Sequence, residues 1–272
     1  MNPVELTLHY SIPPPLHHSN LLMPRFYLPP EQCLEPTLVL AEEEAHHALH
    51  VLRVRRGERL TVLDGVGHEF VCEVKELARH KVSLAVVAKH EVPPPACRIT
   101  LLQALPKGKL MEAIIQKATE LAASRIVPLL SERVIAKLDS RDAQHKTAKW
   151  QSIAIESTKQ CGSAWLPKVE TPLTPQQFLA RKEKFDLALL ASLQSDARHP
   201  REYFRALLGG RDSRPESACI WIGPEGDFSP AESEAIKSVS ALPITLGTLV
   251  LRTETAAIYC LSILNYELQA PR

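Results

Sequence analysis

Two stretches near the carboxyl end of the chain hold the residue types best suited to chemistry: IWIGPEGDFSPAE, from Ile220 to Glu232, and PITLGTLVLRTETA, from Pro243 to Ala256. In each, an apolar β-type run meets a glycine-containing loop and then a helical pattern. In α/β proteins this junction is where ligands bind. Gly223 and Gly226 permit tight turns and close approach of a ligand to main chain, and Pro224 stiffens the loop between them. The same residues would also serve a plain tight turn. Leu246, Gly247, Thr248, Leu249, Val250 and Leu251 alternate apolar side chains with accessible backbone, which suits a flat heteroaromatic ring held by main-chain hydrogen bonds between aliphatic walls. Neither a G-x-G-x-x-G fingerprint nor a G-x-x-x-x-G-K-[ST] loop occurs, so dinucleotide and nucleoside triphosphate binding have no motif support. Arg252 and Glu254 open the last helical pattern. Glu254 complements the positive end of a helix dipole and has a structural reason to be there, whereas Arg252 gains nothing from it and is the stronger functional candidate.

These loops need a scaffold, and the chain predicts an α/β fold. Strand-like runs at Arg98 to Leu105, Arg125 to Leu130, Phe185 to Ala191, Ala218 to Ile222 and Pro243 to Leu246 alternate with helical patterns at Lys109 to Ala123, Asp142 to Cys161, Pro200 to Leu208, Ser229 to Val239 and Thr253 to Leu268. That order implies a largely parallel sheet. Ser229, Pro230 and Glu232 form an S-x-x-E helix start with proline at the first position. Upstream, Thr37 to Leu40, Arg59 to Asp64, His68 to Leu77 and Lys81 to Val92 are short β-branched runs around a short helix at Glu42 to Arg53, which predicts a small barrel-like β domain. Pro93 to Pro95 form a stiff connector. The expected organisation is an extension at 1–22, a β domain at 23–92 and an α/β domain at 97–272. Residues 1–22, with three successive prolines and no secretory-leader pattern, read as a disordered extension.

With 45% apolar and 23% charged residues, the chain has the composition of a globular protein, and no apolar run approaches the roughly 20 residues of a membrane span. Its net charge of +1 hides a local excess: Arg98 to Lys168 carries 12 Lys/Arg against 6 Asp/Glu, which would suit a polyanion as well as an ordinary solvated surface. Six cysteines without a C-x-x-C pair suggest reduced thiols and a cytoplasmic location. His46, His47 and His50 share one helix but lack a recognised zinc pattern, so a polar surface is preferred and no metal is expected.

IGPEG with FS-x-x-E, followed by LG-x-x-V-LRTETA, resembles the carboxyl-terminal signature of the RsmE family, SPOUT-class methyltransferases that act on N3 of a uridine in 16S ribosomal RNA. MPRFYLP at 23–29, LPKGKLMEAIIQKATEL at 105–121, PLLSERV at 128–134 and KQCG at 159–162 extend the likeness across nearly the whole chain. The resemblance implies a PUA-like RNA-binding domain, a trefoil-knotted α/β domain binding S-adenosylmethionine, and a homodimer formed through the knot. It implies a cofactor site of Leu193, Gly223, Pro224, Glu225, Gly226, Leu246, Gly247, Leu249, Leu251 and Thr255. Methyl transfer to an imide nitrogen requires alignment and stabilisation of the imidate charge, for which Arg252 or helix-start N–H groups are candidates, and a proton acceptor, either Glu254 or Glu225. Cys161 is not needed as a nucleophile. For RNA contact the candidates are Arg25, Arg53, Arg55 and Arg56 in the first domain and Lys107, Lys117, Arg133, Lys146 and Lys159 in the second, with the small ribosomal subunit as partner. The alternatives are a different RNA substrate or an inactive RNA-binding assembly factor. Three features depart from the family pattern: Asp227 and Ala122 stand where glycine is usual, and Ser192 to Ser195 is an unfamiliar first cofactor loop.

Overall fold

The computed structural model describes residues 23–34, 36–134, 139–208 and 214–269, so the extension expected at 1–22 lies outside the described residues. Two sheets organise the chain. The first has five strands in the order β1-β3-β4-β5-β2: β1 (Arg25–Tyr27), β2 (Thr37–Ala41), β3 (Arg59–Leu63), β4 (His68–Ala78) and β5 (Lys81–Glu91). Only β1 and β3 run parallel. β2 shows why it forms at a surface: Leu38 and Leu40 are buried while Thr37, Val39 and Ala41 face out. Register shifts at Val71/Cys72 and Val74/Glu76 mark bulges between β4 and β5, which curl such a sheet. Its core of Phe26, Leu38, Leu60, Phe70 and Leu84 is closed by α1 (Glu42–His46), which continues as a π turn from His47 to Val51.

The second sheet is wholly parallel, in the order β11-β9-β10-β6-β7-β8: β6 (Arg98–Ala104), β7 (Ala123–Leu129), β8 (Lys168–Val169), β9 (Leu187–Ala191), β10 (Ser217–Ile222) and β11 (Leu242–Ile244). Its central strands bury both faces, which is why they read as unbroken apolar runs. Ile99, Leu101, Ile220 and Ile222 pack on one side with residues of α2 (Leu110–Glu120), α3 (Ser140–Cys161) and α7 (Thr253–Leu268), joined by Phe204 of α5 (Pro200–Leu208). Leu102, Ala104, Val127 and Trp221 pack on the other with α4 (Pro175–Leu179) and α6 (Pro230–Ser238). Trp221 meets Phe178 and Phe228 edge-on at centroid distances of 5.3 and 6.3 Å. The strands β1 and β8 and the helix α4 were not expected. The last strand also ends at Ile244 rather than Leu246, because Thr245 onward turns into the cleft described below.

The two sheets are fastened by main chain. Val66 and Trp165 form a β-bridge, Leu166 N–H donates to Gly65 at 3.0 Å, and the Trp165 indole N–H donates to the carbonyls of Val92 and Pro93. Gly67 has φ +104°, and a Cβ there would lie 2.6 Å from the Trp165 ring, so both its conformation and its neighbour require glycine.

Candidate active site

Three loops converge at the carboxyl ends of β9, β10 and β11 around a cavity of about 530 Å³. That volume falls in the range of small-molecule sites, roughly 300 to 1,000 Å³. The first loop, Ser192 to Gln194, leaves β9 with Ser192 N–H donating to Ile244 and Gln194 N–H donating to the Ser192 hydroxyl. The second, Gly223 to Asp227, is a tight turn in which Asp227 N–H donates to the Pro224 carbonyl at 3.0 Å, with Gly226 at φ +121°. Ser229 then caps α6 through a reciprocal capping box with Glu232, and Glu232 also accepts from Glu132 N–H, tying the loop after β7 to this turn. The third loop runs from Thr245 to Leu251. Gly247 has φ +114° with open space where a Cβ would stand, and Leu249 and Val250 are each 76% exposed.

A buried relay joins the second loop to the start of α7. The Gln103 amide, 0% exposed at the end of β6, donates to the Thr253 hydroxyl at 2.9 Å, and that hydroxyl donates to the Gly223 carbonyl at 2.8 Å. The Gln103 oxygen is buried without a protein partner among the described residues. The sequence offered no signal for Gln103, since its partner lies 150 positions away.

Leu193, Gly223, Pro224, Glu225, Gly226, Leu246, Gly247, Leu249 and Leu251 line the cavity together, as does Arg252. Thr255 and Glu254 do not. Thr253 and Ala256 are buried and line the cavity, whereas the helical rotation of about 100° per residue carries Glu254 to a half-buried position and Thr255 to solvent. Arg252 is the N-cap of α7 and exposed; its carbonyl accepts from Ala256 N–H, and its guanidinium has no ion pair or hydrogen bond among the described residues. The Glu225 carboxylate accepts from Lys107 N–H at 3.3 Å, and the Arg133 guanidinium donates to the Gly226 carbonyl. Arg252 thus lines the cavity, the Arg133 guanidinium reaches the second loop, and Lys107 touches that loop through its main chain.

The remaining cations are scattered. Arg53, Arg55 and Arg56 are exposed between the π turn and β3. Lys146 is half-buried on α3, and Lys117 pairs with Glu120 on α2. Arg25 packs its guanidinium against Gly162, the left-handed C-cap of α3, where a cation suits the helix end. Lys159 departs from the exposed cation that an RNA contact calls for. It is 6% exposed, and its ammonium lies 2.8 Å from both Glu44 of the first sheet's helix and Glu156. Burial works against its charge, but the two carboxylates outweigh this and hold its pKa above the usual lysine value. For Glu44 burial dominates and raises the carboxyl despite the lysine. Burial likewise pushes the Cys161 thiol up, the wrong direction for a thiolate nucleophile. Among the described residues no group of three or more His, Cys, Asp or Glu could hold a metal ion.

A family model described as RNA methyltransferase domain matches residues 93–265, and one described as RNA methyltransferase PUA domain matches residues 40–87. Ribosomal RNA small subunit methyltransferase E of Bacillus subtilis is 32% identical over 241 residues, covering 87% of this chain and 93% of that protein. A Legionella pneumophila structure with bound cofactor SAM superposes with a TM-score of 0.80 at 33% identity, covering 90% of this chain and 97% of that one. The Neisseria gonorrhoeae ribosomal RNA small subunit methyltransferase E, bound to S-adenosyl methionine, superposes with a TM-score of 0.77 at 28% identity, covering 90% and 97%. With a PUA-type sheet ahead of a parallel α/β sheet and a cleft of three loops at its strand ends, the chain belongs to the RsmE family of RNA methyltransferases.

Proposed function

We propose that this protein transfers a methyl group from S-adenosylmethionine to N3 of a uridine in the 16S ribosomal RNA of the small ribosomal subunit. The observation that carries the reading is the convergence of three backbone-rich loops on one cavity, edged by an arginine whose side chain has no partner among the described residues. The residues present fit the cofactor: Gly226 and Gly247 leave open space where side chains would intrude, while Leu246, Leu249 and Leu251 supply apolar walls for an adenine-like ring. The bound donor supplies a methyl group activated on a positive sulfonium. Arg252 faces the charge that spreads onto the uracil oxygens as N3 loses its proton. Of the two carboxylates considered as proton acceptor, Glu225 lines the cavity and Glu254 does not, so Glu225 takes that role. Lys107 and Arg133, at the same rim, hold the RNA backbone, and Arg53, Arg55 and Arg56 extend the contact over the first domain.

We take 23–92 as the PUA-like unit and 97–272 as the catalytic unit, with the path into α7 threaded as a trefoil knot. The protein works as a homodimer. Supporting this, α7 is apolar on its outer side as well, exposing Ile258, Tyr259 and Tyr266, and such a face asks for cover. No helix of the described residues is long and apolar enough to cross a membrane; the proposed ribosomal substrate is what supports a cytoplasmic location. N3 methylation blocks Watson-Crick pairing, so reverse transcriptase stops at the modified uridine. The test incubates unmodified small subunits with the purified protein and the donor, then maps stops by primer extension. A new stop at one uridine supports the assignment; methyl incorporation without such a stop refutes the N3 assignment.

A further inference from the structure

Asp227 occupies a left-handed backbone conformation, φ +69°, where glycine is free of steric cost and Asp or Asn is tolerated. A plain turn residue at that position would face solvent. Asp227 instead is 8% exposed and lines the cavity, and its carboxylate accepts two main-chain hydrogen bonds. One is local, from Phe228 N–H at 2.8 Å; the other, at 3.1 Å, comes from Leu193 N–H, 34 positions away in the first loop. The Leu193 side chain is 59% exposed, so apolar packing does little to hold this loop. Gly223 makes the room: a Cβ there would lie 3.1 Å from both the Cα and a carboxylate oxygen of Asp227. The residues lining the cavity therefore include two acidic ones, Glu225 and Asp227, and one basic one, Arg252, with the Arg133 guanidinium donating to the Gly226 carbonyl beside them.

We propose that Asp227 is a positioning and donor-selecting residue: its carboxylate holds the first loop against the cavity and biases the pocket toward a cationic sulfonium ligand over the neutral thioether left after methyl transfer. The proposal rests on the function proposed above. Loop positioning acts on donor and product alike, because both share the nucleoside and amino-acid parts. The charge acts on the shared groups of both ligands alike and distinguishes the two only at the sulfonium. One unit charge facing another across a partly screened cleft corresponds to roughly tenfold in affinity.

The test is calorimetric titration of the wild-type protein, Asp227→Asn and Asp227→Gly with S-adenosylmethionine and with S-adenosylhomocysteine, together with hydrogen exchange at the Leu193 amide. Asp227→Asn keeps a residue suited to φ > 0, removes the charge and, because each carboxylate oxygen accepts a different N–H, gives up one of the two hydrogen bonds, a loss that both ligands share. It is expected to shift the affinity ratio against the donor by about tenfold, beyond any loss common to both ligands. Asp227→Gly keeps the backbone and removes both hydrogen bonds, and is expected to weaken both ligands and to speed exchange at Leu193. An unchanged ratio in Asp227→Asn overturns the selecting role, and unchanged exchange in Asp227→Gly overturns the positioning role. Wild-type protein that binds neither ligand would instead sink the methyltransferase reading, and this inference with it.

Discussion

Replacing Lys159 by Met separates a structural role from an RNA-binding one. Methionine keeps helix propensity and approximate volume in α3 and removes only the ammonium. Two carboxylates lose their partner. Glu156 is 63% exposed and returns to water at little cost, so that arm is discounted. Glu44 is 18% exposed, its other oxygen already lacks a partner, and Lys159 is its ion-pair partner. Breaking a buried pair costs about 3 to 5 kcal/mol, and the residual exposure of Glu44 brings this to roughly 2 to 4 kcal/mol. At about 2 to 4 °C per kcal/mol for a chain of this size, the melting temperature should fall on the order of 10 °C. The deficit should depend on pH. Burial raises the Glu44 carboxyl above its ordinary 4.5, and loss of the lysine raises it further. A group whose folded pKa lies above its unfolded one contributes stability that is present at low pH and lost as pH rises through the folded value. The variant should therefore lie closest to wild type near pH 4.5 and farthest at neutral pH. The assay is circular-dichroism melting across that window, with salt-dependent RNA binding measured in parallel. A variant that melts within about 2 °C of wild type at neutral pH yet binds RNA more weakly would refute the buried-pair argument and return Lys159 to the RNA face.

Arg252→Ala is expected to lower turnover by about 10² to 10³ while leaving donor affinity within a few-fold, since the loss is confined to charge developing in the transition state; equal losses in binding and rate would make Arg252 a cofactor ligand instead. Glu225→Gln should lower the rate constant by roughly 10² or more and Glu254→Gln by far less; the reverse order in single-turnover assays would restore Glu254 as the proton acceptor. Thr253→Val preserves shape but removes the donor to the Gly223 carbonyl and one of the two acceptors of the Gln103 amide, which keeps the Ala104 carbonyl. The orphaned carbonyl costs about 1 to 3 kcal/mol, so thermal stability and donor affinity should fall together, and Thr253→Ser should rescue both.

How much of this was legible depended on how local the cause was. Strands buried on both faces announce themselves as apolar runs, as in Leu187–Ala191 and Ser217–Ile222, and the start of α6 is written in Ser229, Pro230 and Glu232 within one helical turn. β1 and β8, at three and two residues, are too short for any periodicity and exist because a partner strand pairs with them. Lys159 sits in a polar helix and reads as surface; its burial depends on Glu44, 115 positions earlier. The roles of Thr253, Glu254 and Ala256 turn on helical phase at a terminus, where a shift of one residue exchanges the cavity for solvent.

The cleft itself divides along the same line. Two of its three walls, Gly223 to Asp227 and Thr245 to Leu251, are local motifs at strand ends and could be read singly; the first, Ser192 to Gln194, carries no familiar motif. What makes them one pocket is long-range and polar: Gln103 to Thr253 to Gly223 under its floor, Glu232 to Glu132 on its flank, and Asp227 to Leu193 across its rim. Each link uses a side chain whose partner is main chain or hydroxyl on another element, and such bonds leave no periodic trace. Asp227 shows the consequence most plainly. Against the family pattern it reads as a misplaced carboxylate on a residue position suited to glycine; in the folded chain its φ of +69° is offset by two accepted N–H bonds, one of which fixes the neighbouring loop. A departure from a motif at a left-handed position is thus informative about the loop opposite it, because the side chain that accepts the strain must find its hydrogen bonds there.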